Sequence, residues 1–196
     1  MYSQKDEEAA ILKTVGDHIG GFIDVGAFDG YNYSNTMALV DRGWQGIMVE
    51  PGLDAFKLLL DRHGDNDKLT LVHAAVGLPG QVMTPFWNNP RTFSTSEENN
   101  RFNRFQHEGF SPKYWTPLVD FYSVAGCRPD MPVDVVSIDT EGTSVDLFKS
   151  FPFGPWRPLI IMVEHDGRRD ECISFADGVN YRLVFSNEEN LGFEAA

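Results

Sequence analysis

Short apolar runs closed by glycine or acid recur along this chain, and stretches with helical spacing separate them. Ala9, Ile11, Leu12 and Val15 predict a short helix between Asp6 and Gly16. Gly21-Phe22-Ile23-Asp24-Val25 then reads as a buried strand, and Gly26 to Asn32 as a turn. Ser34 or Asn35 can cap a helix running through Met37, Leu39 and Val40 to a stop near Gly43. The alternation repeats with a strand over Trp44 to Val49, a helix over Leu53 to Arg62 and a strand over Leu69 to Val76. Val82 to Trp87 is a further candidate strand, and Asn88 to Lys113 is polar without clear periodicity, so a long loop or partly helical insertion is expected. Tyr114 to Cys127 predicts a strand and then a helical piece. Val133 to Ile138 and Pro158 to Val163 are strong strands, with a helix over Ser144 to Phe151 between them. Tyr181 to Phe185, a polar turn over Ser186 to Asn190, and Leu191 to Phe193 predict a closing edge hairpin.

Strands alternating with helices imply βαβ units and a doubly wound, mainly parallel sheet, here with a C-terminal antiparallel edge hairpin. Ligands of such sheets bind beyond the carboxyl ends of the strands. The polar clusters Asp24 to Gly30, Glu50, Asp139 to Gly142 and Glu164 to Asp166 all fall at predicted strand ends.

A length of 196 residues suits a single domain over 1–196, with a substrate-lid insertion near 88–113. Composition narrows the partners. Lys+Arg is 16 against Asp+Glu 29, a formal net charge of -13. Such a surface repels phosphate backbones and anionic membranes, so neither nucleic acid nor a membrane is expected as a partner. No apolar run approaches the roughly 20 residues of a membrane span. Met1 to Glu8 is polar and unlike a secretory signal. Cys127 and Cys172 lack metal-ligand spacing and are expected as free thiols, which points to a cytoplasmic enzyme. Nothing in the pattern indicates an oligomeric state.

The first turn, Asp24-Val25-Gly26-Ala27-Phe28-Asp29-Gly30, follows a strand and precedes a helix. A dinucleotide site would want three glycines closing on a pyrophosphate. Only Gly26 and Gly30 are present, and the carboxylates of Asp24 and Asp29 would repel a diphosphate. A ligand with an ammonium group and no phosphate suits them better, and S-adenosylmethionine is such a ligand. Glu50, 20 residues past Gly30, stands where a carboxylate can accept both ribose hydroxyls. The plainer alternatives are a glycine turn with solvated acids and a surface acid at a strand end.

Phe22 to Gly30 with Ser34-Asn35-Thr36 resembles the first motif of FkbM-type methyltransferases. Gly43-Trp44-Gln45-Gly46 leading to Val49-Glu50-Pro51 resembles their second. Ala74 to Gly77, Val136 to Gly142, and Arg157-Pro158 leading to Val163-Glu164 continue in the family's order, so the likeness spans about Gly21 to Glu164. It implies a Rossmann-like α/β fold and methyl transfer from S-adenosylmethionine, commonly to a hydroxyl of a carbohydrate or small metabolite. It also implies that Asp24, Gly26, Ala27, Gly30, Glu50, Ala75 and Asp139 line the cofactor, with Asn35 and Pro51 in the same motifs and Ser94 near them. Phe28 departs from the small or polar residue usual there, and Asn88 to Lys113 matches no family pattern.

Methyl transfer to a hydroxyl needs alignment and a proton acceptor. Glu141, Glu164 and His165 are the catalytic candidates, beside Asp139. His165 titrates near neutrality when unperturbed, which suits a base. Glu141 is the next candidate, because neighbouring carboxylates would raise its pKa. The bland readings are a solvated turn for His165, a helix cap for Asp139, and pairing of Glu164 with Arg157 or Arg168. The same four residues could instead hold a divalent ion, although no metal is expected. His18, His63, His73 and His107 show no spacing that suggests a site. Within 88–113, Arg91, Arg101, Arg104, His107 and Lys113 interleave with Phe93, Phe102, Phe105 and Phe110. They could form a lid that meets an acidic acceptor or stacks on a sugar, or an amphipathic helix with core phenylalanines. Competing functions are an NAD-dependent oxidoreductase, a non-catalytic binding protein and, less favoured by charge, an RNA methyltransferase.

Overall fold

The computed structural model describes residues 2–88 and 111–196. Helix α1 (Glu7–Val15) precedes β1 (Gly21–Val25); α2 (Met37–Asp41) leads to β2 (Gln45–Val49), and α3 (Leu53–His63) to β3 (Leu69–Val72). Then come β4 (Ala75–Val76), β5 (Met83–Asn88), β6 (Ser111–Val119) and α4 (Phe121–Gly126). β7 (Val135–Ile138), α5 (Ser144–Ser150), β8 (Ile160–Glu164), α6 (Arg169–Gly178), β9 (Tyr181–Ser186) and β10 (Asn190–Ala195) complete the order.

Seven strands form the central sheet in the order β3-β2-β1-β7-β8-β10-β9. β3, β2, β1, β7 and β8 run parallel, while β10 is antiparallel to both β8 and β9. The expected doubly wound sheet with an antiparallel hairpin is thus what forms. Every residue of β1 and β8 is buried, as a parallel sheet covered on both faces requires. Alternate residues feed two cores. Ile23, Val25, Val136, Ile138, Ile161 and Val163 meet Phe148 of α5 and Cys172 of α6. Phe22, Met48, Val135, Ile160 and Met162 meet Ile11 and Val15 of α1 and Leu39 of α2. Glu7, fully buried, accepts hydrogen bonds from the amides of Asn187 and Asn190, which ties α1 to the hairpin.

Several boundaries differ from the reading of the sequence. The strand expected over Leu69 to Val76 breaks at His73-Ala74; β3 stays in the main sheet, and β4 pairs parallel with β6 in a separate three-stranded sheet. Apolar pattern alone cannot show a strand changing partners. Asn88 ends β5 and Ser111 to Lys113 begins β6, so both ends of the 88–113 stretch belong to strands; residues 89–110 lie outside the described residues. Helix α6 is absent from the sequence reading because its fully buried positions are two small residues, Cys172 and Ala176, four apart, with Ile173 and Phe175 only partly buried beside them. β9 is the outermost strand and β10 lies inside it. Cys127 and Cys172 are free thiols. Among the described residues, no helix is long and apolar enough to cross a membrane.

Candidate functional site

β1 sits where the strand order reverses, with β2 on one side and β7 on the other. A crevice opens at such a point beyond the carboxyl ends of the strands. Here it is a cavity of about 660 Å³, lined by the ends of β1, β2 and β7 and by Ala74 to Val76. That is the size range of small-molecule sites.

The first turn closes on its neighbours through backbone. The N–H groups of Gly26 and Ala27 both donate to the Val49 carbonyl, at 2.9 and 3.1 Å. Gly26 has φ +86°, and a Cβ there would stand 1.7 Å from the Asp139 carbonyl oxygen, so only glycine fits. Gly30 has φ +69°, and a Cβ would meet Leu59 Cδ1 at 2.5 Å. Phe28, the departure from the family pattern, holds φ 51° and points its N–H at Glu50 Oε2, 2.8 Å away. What this turn requires of residue 28 is a backbone donor.

Four carboxylates at this end have separate environments. Asp24 is buried on β1 beside Ser137 of β7 and accepts the Thr36 hydroxyl at 2.7 Å. Burial pushes its pKa up to about 6, against the lowering effect of the Thr36 and Ser137 hydroxyls. Glu50 is buried at the end of β2 and takes one backbone N–H on each oxygen, Gly52 at 2.6 Å and Phe28 at 2.8 Å. Burial pushes it up to about 7; those two N–H groups pull the other way and the Asp24 charge adds to the rise. Two lone-pair sites of the Glu50 carboxylate remain for a ligand diol. Asp139 lies at the end of β7, raised well above the usual carboxylate range by burial and next by the Glu141 charge. Asp29 behaves differently. Burial raises it, but the Tyr31 N–H, Arg62 and Asn32 outweigh that and hold it below the ordinary value. Its carboxylate is 3.0 Å from Arg62 of α3, so it anchors the turn and is already neutralised.

The segment after β7 is held from β8. Glu141 has φ 54° and donates its N–H to Glu164 Oε2 at 3.1 Å, which also accepts the Ser144 hydroxyl at 3.2 Å. Thr140 N–H donates to Ser144 Oγ, and Ser144 N–H to Asp166. Asp139 and Glu141 line the cavity, and Glu164 stands behind them. One oxygen each from Asp139, Glu141 and Glu164 lie within 4.8 Å of one another, a hard-oxygen set that could hold a divalent ion.

The cavity therefore brings together Asp24, Gly26, Ala27, Asn35, Glu50, Pro51, Ala75, Asp139 and Glu141 from the sequence reading. Gly30 packs behind the turn against α3. His165 is not among the lining residues: its N–H donates to the Glu189 carbonyl and its Nδ1 accepts the Gly167 N–H at 3.1 Å. Arg157 and Arg168 bond elsewhere, Arg157 to the Val179 and Asn180 carbonyls and Arg168 to Asp146 and Glu171. Ser94 and the cationic and aromatic residues of the lid reading up to Phe110 fall outside the described residues. Tyr33 (φ 61°), Thr140, Thr143, Phe86 and Ser137 line the cavity without having been singled out. Ser137 was legible only through the pairing of β1 with β7.

The fold and this crevice define a Rossmann-like α/β protein with an acid-lined cavity at the switch point of its sheet. The Methyltransferase FkbM domain model matches residues 24–194, and the chain belongs to that family. No curated protein matches it. Among solved structures it is similar to Streptococcus pneumoniae Sp1610, a proposed tRNA (m1A22) methyltransferase, at 14% identity and TM-score 0.56, covering 100% of this chain and 71% of that one. It is also similar to precorrin-6y C5,15-methyltransferase from Geobacter metallireducens GS-15, at 11% identity and TM-score 0.52, covering 100% and 94%. Pyrococcus horikoshii PH1948, a proposed RNA methyltransferase, matches at 12% identity and TM-score 0.52, covering 97% and 80%. At these identities the likeness is one of fold. Family and fold together make the chain a methyltransferase.

Proposed function

We propose that this protein methylates a hydroxyl oxygen of a carbohydrate or small metabolite, with S-adenosylmethionine as donor. The observation that carries the reading is the buried Glu50 carboxylate, fixed by two backbone N–H groups in a cavity whose opposite wall is Asp139 to Glu141. When bound, S-adenosylmethionine supplies a methyl carbon already activated by its sulfonium. The residues present fit it: Glu50 can accept ribose hydroxyls, Gly26 lets the first turn close on the Asp139 carbonyl, and Asp24 favours a cationic ligand. Glu141, on the cavity wall, would take the acceptor hydroxyl's proton as the methyl carbon passes from sulfur to that oxygen, the broken carbon–sulfur bond leaving its electron pair on a neutral thioether. Glu164 acts from behind by accepting the Glu141 N–H and Ser144 hydroxyl, which holds the Asp139–Ser144 segment. His165, next in the chain after Glu164, is the alternative base. An acid-lined cavity in a chain of net charge -13 supports a neutral or cationic acceptor over RNA.

Calorimetry with S-adenosylhomocysteine and NAD, followed by mass spectrometry of a panel of sugars, polyols and tRNA incubated with S-adenosylmethionine, tests this. Binding of S-adenosylhomocysteine and a one-methylene gain on a hydroxylated small molecule are expected. Binding of NAD alone would replace the reading with an oxidoreductase. Cofactor binding with no transfer across the panel would favour a non-catalytic role. Methylation of tRNA that falls steeply with salt would change the acceptor class.

A further inference from the structure

Helix α3 begins directly after the turn that carries Glu50, and its N-cap residue is Gly52, which has no side chain to cap the helix. An exposed first-turn N–H is an orphan donor unless another group accepts it. The group that does so comes from the second sheet. Tyr114 of β6 accepts the Leu53 N–H on its hydroxyl at 2.7 Å and donates that hydroxyl to the Pro51 carbonyl at 3.2 Å. His73 Nε2 lies 3.2 Å from the same carbonyl, with its ring stacked on Phe56 of α3 at 4.7 Å. The Tyr114 ring lies 5.8 Å from that of Phe86, which lines the cavity. A single phenol hydroxyl thus spans the two peptide units that flank Gly52.

We infer that Tyr114 is a positioning residue for the cofactor: its hydroxyl stands in for the missing N-cap and sets the Pro51–Leu53 turn, so that the Glu50 carboxylate faces the cavity. The inference rests on the proposed role of Glu50 as the ribose acceptor. Glu50 Oε1 is itself bonded to Gly52 N–H, inside the turn that Tyr114 braces, so slack at Pro51 is transmitted to the carboxylate. The pattern of the chain hides this link, since Tyr114 is 61 residues from Leu53 and in a different sheet from β2, which leads into the turn.

Tyr114→Phe removes the hydroxyl and keeps the ring against Phe86. Three readouts are taken on wild type, Tyr114→Phe, Glu50→Gln and the double variant: the Kd for S-adenosylhomocysteine by calorimetry, the melting temperature without ligand, and hydrogen exchange at the Leu53 amide. The expected result is a Kd raised roughly tenfold in Tyr114→Phe, with a melting temperature near wild type and faster exchange at Leu53. In the Glu50→Gln background the same substitution should add less than about twofold, because both act on one carboxylate. An unchanged Kd, or two losses that simply multiply, overturns the inference. A lowered melting temperature with unchanged Kd does so as well, by showing a structural role only. If wild type binds no S-adenosylhomocysteine, the cofactor reading falls. Leu53 exchange that is unaltered in Tyr114→Phe removes the bracing itself, independently of any ligand.

Discussion

A carboxyl that must be ionised to accept two ribose hydroxyls, yet is raised to about 7 by burial, makes cofactor affinity depend on pH. The ionised form offers only acceptors, whereas the protonated form turns one oxygen into a donor. Near pH 8 about nine-tenths of Glu50 is ionised before ligand arrives, and near pH 6 about one-tenth, so affinity should fall roughly tenfold between them. Asp24, raised to about 6, is half-protonated at the lower pH and contributes a further factor of about two. The combined loss is roughly twentyfold. Calorimetric titration of S-adenosylhomocysteine across this range, at constant ionic strength, measures it. Glu50→Gln should bind more weakly near pH 8 and retain only about a twofold dependence on pH. That variant also serves as the reference for the ligand's own titration. A flat affinity profile in the wild type, or an equally steep one in Glu50→Gln, would refute the assignment of Glu50 to the ribose.

The same burial predicts the reverse trend for the protein without ligand. A carboxyl whose pKa is raised on folding, from 4.5 to about 7 for Glu50, contributes stability that is complete below the lower value and lost as pH rises through the upper one. Glu50 alone accounts for roughly 3 kcal/mol of that swing, so chemical denaturation should show stability falling between about pH 5 and pH 8, less so in Glu50→Gln. Gly26→Ala, whose Cβ would meet the Asp139 carbonyl at 1.7 Å, should lower stability by more than about 2 kcal/mol and abolish cofactor binding; a normal melting temperature would show that the turn yields. Glu141→Gln should cut kcat by roughly a hundredfold or more with the S-adenosylhomocysteine Kd unchanged, whereas His165→Gln should change kcat only a few-fold. A larger loss in the histidine variant would transfer the base role to His165.

Much of the architecture was legible because parallel strands buried on both faces must be short, continuous and apolar. Ile160 to Val163 meets that demand over its whole length, and Val135 to Ile138 at every position but Ser137. The positions of Asp24, Glu50 and Asp139 were legible for a related reason, since each is a charged residue at the end or within an apolar run of a strand. Asp29 lines the cavity as its place in the first turn suggests, but its charge is already paired with Arg62, thirty-three residues away on α3. Linear spacing carries no sign of that pairing.

The order of apolar and polar residues by itself determined the parallel sheet, the glycine turn after its first strand, and the collection of acids at the strands' carboxyl ends. Those features follow from local periodicity and from steric limits on the backbone, which act over a few residues. Only the tertiary structure decided that Ser137 lies beside Asp24, that Glu164 holds the Glu141 segment, that Ala75 and Val76 leave the main sheet, and that Tyr114 caps α3. Each of these depends on which strand or helix becomes a neighbour. That choice is made by packing two cores at once, and no single segment contains it.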